Sequence, residues 1–409
     1  MPGTPTRFPY DGPPAGPRPF RRRGVLAACF LAILLFGVGI SLLGAVLPAL
    51  TDRFQLSKAE GGTLFTWMSL GALLGSLVFG PVVDRYGYKI LLIVCCSLML
   101  AGLELLAWTP VFFWALPAIF LVGLGGGVIN GGTSALVADL SAEGRSSGLS
   151  LLGVFFGLGA FGTPLAYGSL SAAVPSRAII AAAGALILAP IVFLGALRFP
   201  PPKKSHGLPM AEVWTLAREP VLLLLGGMLF FQSGMEMTVG GWSSTLFTEK
   251  LGLEPSRAVV CLSLYWLAMM AVRILLPLLL KRFSSRALLA ASMGITLAGS
   301  LLLFRGSGLA ASVLGLVLTG TGLSSVFPLV LGMAGDRYSS LSGTAFSICL
   351  VMALSGGMTL PYLTGLLGDR VGLSASLTIV PAALLLQALV FALVSRKLNS
   401  CRAPLGGAR

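Results

Sequence analysis

The stretch "FFQSGMEMTVGGW", residues 230–242, places one carboxylate in a run that is otherwise apolar, glycine or weakly polar. From Val221 to Phe247, Glu236 is the single charged residue. A carboxylate that deep in an oily helix is costly unless it is protonated, paired or facing water. Helical spacing puts Gln232, Glu236, Val239 and Ser243 on one face. Two readings follow for Glu236. It is either a protonated acid hydrogen-bonded within a bundle, or a group lining a central cavity whose protonation changes with access. The second, a coupling or protonation site, is the expectation carried forward. Arg273, late in "YWLAMMAVRILLPLLL", is a second charge in an apolar run. It either snorkels to the nearer membrane surface or joins a cavity or ion pair.

The elements that must position these groups cross a membrane. The 409 residues are 56% hydrophobic and only 10% charged, with a mean hydropathy of +0.93. Soluble domains carry roughly 25% charged residues, so most of this chain contacts something other than water. Apolar windows recur along the chain, each long enough for a hydrocarbon core of roughly 30 Å. Twelve spans are expected, near 24–50, 61–83, 90–108, 111–138, 149–173, 178–198, 221–247, 258–280, 287–304, 309–335, 344–367 and 373–395. Continuous rather than alternating apolar runs exclude a β-barrel. The fold class is an all-α polytopic membrane protein. Glu236 would then lie roughly 22 Å along span seven, a little past the midplane.

Lysine and arginine set the expected orientation. With both termini cytoplasmic, 20 basic residues fall on the inner side and 7 on the outer, leaving Arg273 inside a span. That bias fits the positive-inside rule in a cell membrane. The net charge of +14 then reads as topology and attraction to anionic membrane lipid, not as a nucleic-acid surface. Five cysteines lie in spans and Cys401 in the tail, which is neither a disulfide framework nor a metal site. The lone histidine, His206, sits in a central loop, so no histidine triad or relay is available.

A shift of 197 residues superposes the two halves of the sequence without gaps. Gly37 meets Gly234, Gly44 meets Gly241, Arg85 meets Arg282 and Lys89 meets Arg286. Gly123, Gly125 and Asp139 meet Gly320, Gly322 and Asp336; Pro164 meets Pro361. The chain therefore divides into a basic, proline-rich tail (1–23), a six-helix half (24–198), a cytoplasmic linker (199–220), a second six-helix half (221–397) and a tail (398–409). The halves are parallel pseudo-repeats about an axis along the membrane normal.

"GPVVDRYGYK", residues 80–89, resembles the inner loop motif of the major facilitator superfamily, and "DLSAEGR", 139–145, resembles its partner acidic-to-arginine loop. Gly80, Asp84, Arg85, Gly87 and Lys89 fit the motif, and Tyr88 stands where arginine is usual. Two halves related in this way are a property of that superfamily. Spans seven and eight resemble the fucose permease branch of sugar transporters, although span one lacks the acid those permeases often carry. The resemblance implies an inner gate in which Asp84 pairs across the interface between halves near Arg85 and Arg145, with Asp139 in the partner loop. It also places Asn130, Ser41 and Ser324 in cavity-lining helices. Each has a plainer alternative, an interhelical hydrogen bond for Asn130 and close packing for the serines.

The expected solute contacts are Gln232, Asn130, Trp242, Tyr265, Ser41, Phe155, Ser324 and Arg273. Sugars stack C–H faces on aromatic rings and direct hydroxyls to amides and carboxylates, within a mostly apolar pocket with few polar anchors. The expectation is a secondary transporter importing a small polar solute, a monosaccharide, with a proton or sodium ion, as a monomer and without a cofactor. A proton-driven exporter of hydrophobic or amphiphilic compounds is the alternative. An ATP-driven pump is excluded by the lack of a "GxxxxGK[ST]" loop, and an enzyme by the lack of a metal-ligand cluster or appended soluble domain.

Overall fold

The computed structural model describes residues 21–140, 145–199, 214–338 and 342–400. Span one is Arg22–Phe54, and spans two and three are the two parts of Lys58–Trp108. Span four is Phe112–Leu140 and span five Arg145–Leu170, and span six is built from Ser176–Leu186 and Leu188–Ala196. In the second half the spans are Pro220–Leu251, Pro255–Leu279, Ser285–Arg305, Gly308–Arg337 and Ser342–Val371. Span twelve combines Leu373–Ser376 with Ile379–Ser400. Eleven of these helices are long and apolar enough to cross a membrane among the described residues. The stretch 58–86, uncharged from 61 to 83, supplies the twelfth. The protein is an all-α, twelve-helix membrane protein.

Spans two and three run together because the turn between them is made inside the loop motif. Gly87 has φ 78° and ψ 166°, a left-handed conformation that side chains with a Cβ resist. Beside it, Lys89 donates from Nζ to the carbonyls of Gly195 (2.7 Å) and Leu197 (2.8 Å). That contact neutralises the carbonyl end of span six. The remaining gate residues, Gly80, Asp84, Arg85, Asp139 and Arg145, stand on the described helices of spans two, four and five, but their side chains lie outside what the structure describes, so the expected gate pairing is not addressed by it.

The pseudo-repeat reappears as repeated contacts. A Cβ on Gly123 would strike the Met68 carbonyl, and one on Gly320 would strike the Tyr265 carbonyl, 197 residues on in both partners. Gly125 lies against Cys95 and Gly322 against Ser292 in the same relation. Arg53 donates to the carbonyls of Leu106, Ala107 and Thr109 at the end of span three. Lys250 does the same to Leu303, Phe304 and Gly306 at the end of span nine. Lipid gives helices no hydrophobic reason to associate, so backbones held close by glycine carry the packing.

The face bearing residues 54, 58, 251, 255 and 371 is called the far face, and the opposite one the terminus face. Span two packs on span eleven, span five on span eight and span one on span seven, joining the halves. Near the far face, Ser244 Oγ donates to the Gly44 carbonyl at 2.9 Å and Lys58 pairs with Glu249 at 3.2 Å. Gly168 lies against the Ser256 carbonyl and Gly365 against that of Lys58.

Candidate functional site

Glu236 sits halfway along span seven, where its carboxylate meets Arg273 of span eight, with Nη2 3.7 Å from Oε1. The two side chains retain 16% and 25% of their exposure, so the pair is mostly withdrawn from solvent. At that depth each charge answers the other's desolvation, and removal of either leaves an uncompensated ion. The guanidinium also lies over the Phe156 ring of span five, 5.9 Å from its centroid. Phe156 meets Trp266 edge-on at 6.3 Å and Phe36 of span one at 5.6 Å. An acid and a cation from the second half thus face a wall of rings to which both halves contribute.

Three polar atoms around this cluster are buried without a hydrogen-bond partner: Arg273 Nε, Trp266 Nε1 and Gln232 Oε1. Buried polar atoms are nearly always satisfied, so such a concentration around one ion pair marks a place where a ligand or water belongs. Toward the far face, Ile40, Gly44, Phe65, Gly240, Gly241 and Trp266 close over Glu236. The cavity left there is about 10 Å³ at water-molecule centres, room for one water. The far side of the site is sealed.

Apart from Asn130, the other expected solute contacts are engaged inside the protein. Gln232 Nε2 donates to the Leu323 carbonyl (2.6 Å), Ser324 Oγ to Met269 (2.7 Å) and Ser41 Oγ to Gly37 (3.0 Å). The Tyr265 hydroxyl donates to the Glu236 carbonyl at 3.3 Å. Trp242 Nε1 donates to Pro361 at 3.1 Å, and its ring packs near Phe65, which makes it part of the far seal. Phe155 stacks on Phe30 at 5.1 Å, while its neighbour Phe156 faces the guanidinium. Adjacent helix positions point about 100° apart, so a Phe-Phe doublet does not say which ring faces the axis. Asn130 is exposed, one turn from Gly126, which packs against Phe36.

Sequence reasoning missed Arg53, Lys250, Asp369 and Glu249. The first two stand 197 residues apart, and that coincidence was the available signal. Asp369 and Glu249 carry no spacing that would announce their partners across the interface.

Two six-helix halves, with a charged pair and unsatisfied polar atoms at mid-depth, match the two-halved frame of secondary membrane transporters. The Major Facilitator Superfamily model matches residues 29–352, and the chain belongs to that superfamily. It is 27% identical over 394 residues to the 3-(3-hydroxy-phenyl)propionate transporter of Escherichia coli (strain K12), covering 91% of this chain and 94% of that protein. It is 24% identical over 377 residues to the sodium-dependent glucose transporter 1A of Mus musculus, covering 83% and 88%. Among solved structures, the D-xylose-proton symporter superposes with a TM-score of 0.77 at 13% identity, covering 90% of this chain and 97% of that one. The protein is a transporter, not an enzyme.

Proposed function

We propose that this transporter takes up a small organic acid with an aromatic or otherwise apolar body, together with a cation, and that Glu236 and Arg273 link the two. The observation that carries the reading is the partly buried Glu236–Arg273 pair facing Phe156 and Trp266 with Arg273 Nε and Trp266 Nε1 unsatisfied. A carboxylate on the solute can replace Glu236 on the guanidinium fork, the geometry arginine favours. A ring on the solute can rest against the two aromatic side chains.

Coupling then follows from charge. The empty site holds one acid and one base and is neutral. Entry of an anion alone would leave a net negative charge at mid-membrane, which the low dielectric opposes. A proton on Glu236, or a sodium ion beside it, restores neutrality as the solute binds. Solute and cation therefore cross together, with the termini on the cytoplasmic side as the basic bias of the loops supports.

The sugar expected from sequence has support in the likeness to a glucose transporter. It fits the geometry less well. The amide N–H of Gln232 and the hydroxyls of Ser41, Ser324 and Tyr265, which would serve sugar hydroxyls, are bonded to backbone carbonyls. A neutral sugar also gives the ion pair no reason to exchange partners. Export of a purely hydrophobic compound would leave the guanidinium without a task. The name of the Escherichia coli relative, the 3-(3-hydroxy-phenyl)propionate transporter, agrees with the acid reading.

The test is uptake into proteoliposomes under an imposed pH or sodium gradient, with labelled hydroxybenzoate, phenylpropionate and glucose. Gradient-dependent, saturable uptake of the acids is expected, abolished in Arg273→Gln. Saturable glucose uptake that excess carboxylate does not inhibit would sink the acid reading and return the sugar.

A further inference from the structure

The start of span two is completed by the other half of the molecule. The first turn of a helix leaves its amides without intrahelical partners. Ser57 and Glu60 form a capping box, in which the Glu60 amide donates to Ser57 Oγ (3.2 Å) and the Ser57 amide to Glu60 Oε2 (2.9 Å). Between them, the amides of Lys58 and Ala59 donate instead to the two carboxylate oxygens of Asp369, each at 2.8 Å. Asp369 stands at the far end of span eleven, more than 300 residues away and in the second half. Alongside, the Lys58 ammonium pairs with Glu249 at the far end of span seven, 3.2 Å away.

We propose that Asp369 is the latch residue of the far face, holding the halves together there through the N-terminus of span two, with Lys58–Glu249 as its auxiliary. A carboxylate straddling two free amides at a helix start gains from charge-assisted hydrogen bonds and from the helix dipole at once. When the halves part at the far face, both amides and the carboxylate go to water and the gain is lost. The latch therefore biases the closed far face seen here without preventing its opening.

It acts at one seam only. In the pseudo-equivalent seam between spans five and eight, Ala172 stands where Asp369 does, and Pro255, which has no amide N–H, stands where Lys58 does. That seam closes by packing, with Gly168 against Ser256. The same comparison supplies a test substitution. Proline is well suited to the first position of a helix, and Ser57 already has the extended backbone (φ −64°, ψ 161°) that a following proline requires. Lys58→Pro thus removes one latch donor together with the auxiliary ammonium and leaves the helix intact, and Lys58→Gln isolates the ammonium's share.

Spin labels at Val111 and Leu309, both exposed near the far face in opposite halves, would report the separation of the halves in a variant with the six native cysteines replaced. Asp369→Asn and Lys58→Pro are each expected to raise the far-open population by about three- to tenfold, the scale of one charged contact at a helix start. Lys58→Gln, which keeps the amide and loses only the ammonium, should raise it less. Thermal stability of Asp369→Asn should stay close to wild type. An unchanged label separation in Asp369→Asn would overturn the proposal, as would a lowered melting temperature with no shift in separation, since the carboxylate would then serve folding alone.

Discussion

The two halves of the molecule share their packing and differ in their chemistry. Gly123 and Gly320 meet the same structural partners, as do Gly125 and Gly322, and Arg53 and Lys250 cap corresponding helices. At the site the correspondence ends. Glu236 is matched by Gly39, Arg273 by Ser76 and Trp266 by Ser69, while the Phe156 of the first half is matched by Ala353. Helix approach is a steric requirement that each half must meet separately, so it persists in both. On the proposed function a solute site is built once, between the halves, so one acid and one guanidinium are enough, and a second pair at Gly39 and Ser76 would bury two more charges with nothing to bind. A Cβ at Gly39 would meet the end of the Met99 side chain, which would have to swing aside.

The largest test of that asymmetry is Glu236→Gln. The glutamine keeps the shape and hydrogen-bonding capacity of the protonated acid but carries no exchangeable charge. Gradient-driven accumulation should vanish, while counterflow exchange of solute, which needs no net cation movement, should survive at least in part. Accumulation at the wild-type level would reduce Glu236 to a packing group and equalise the halves.

Next in size is Arg273→Gln, which strands the Glu236 carboxylate. Breaking a fully buried pair costs about 3–5 kcal/mol; with side chains 25% and 16% exposed, about 2–3 kcal/mol is expected here. Thermal unfolding in detergent should reveal it, and the double substitution with Glu236→Gln should recover most of the loss. If the double variant is no more stable than Arg273→Gln, the pair is not an energetic unit.

Gly123→Ala and Gly320→Ala should behave alike, each losing about 1–3 kcal/mol as the new methyl pushes a neighbouring carbonyl away. A large loss in one half with none in the other would show that the repeat is one of sequence more than of packing. Smallest are the caps. Arg53→Gln and Lys250→Gln should each cost about 1 kcal/mol, the usual worth of a cation at a helix carbonyl end, and the two losses should add, because the caps belong to different halves.

Much of this was legible in the chain. Hydropathy specified the twelve spans, because the hydrocarbon core leaves the backbone no alternative to helices. The repeated glycines and prolines pointed to two halves, and the isolation of Glu236 in an apolar run marked the candidate site. The sequence could not say what Glu236 touches. That depended on spans seven and eight converging so that Arg273, 37 positions along, reaches it. Nor could it separate Phe156 from Phe155, or show that Gln232, Ser41, Ser324 and Trp242 bond to backbone carbonyls. The contact of Asp369 with the amides of Lys58 and Ala59 joins residues from opposite ends of the chain. Composition and periodicity record which residues lie on one helix face. Which carbonyl or charge stands opposite that face is set by how helices distant in sequence cross, and only the assembled bundle decides it.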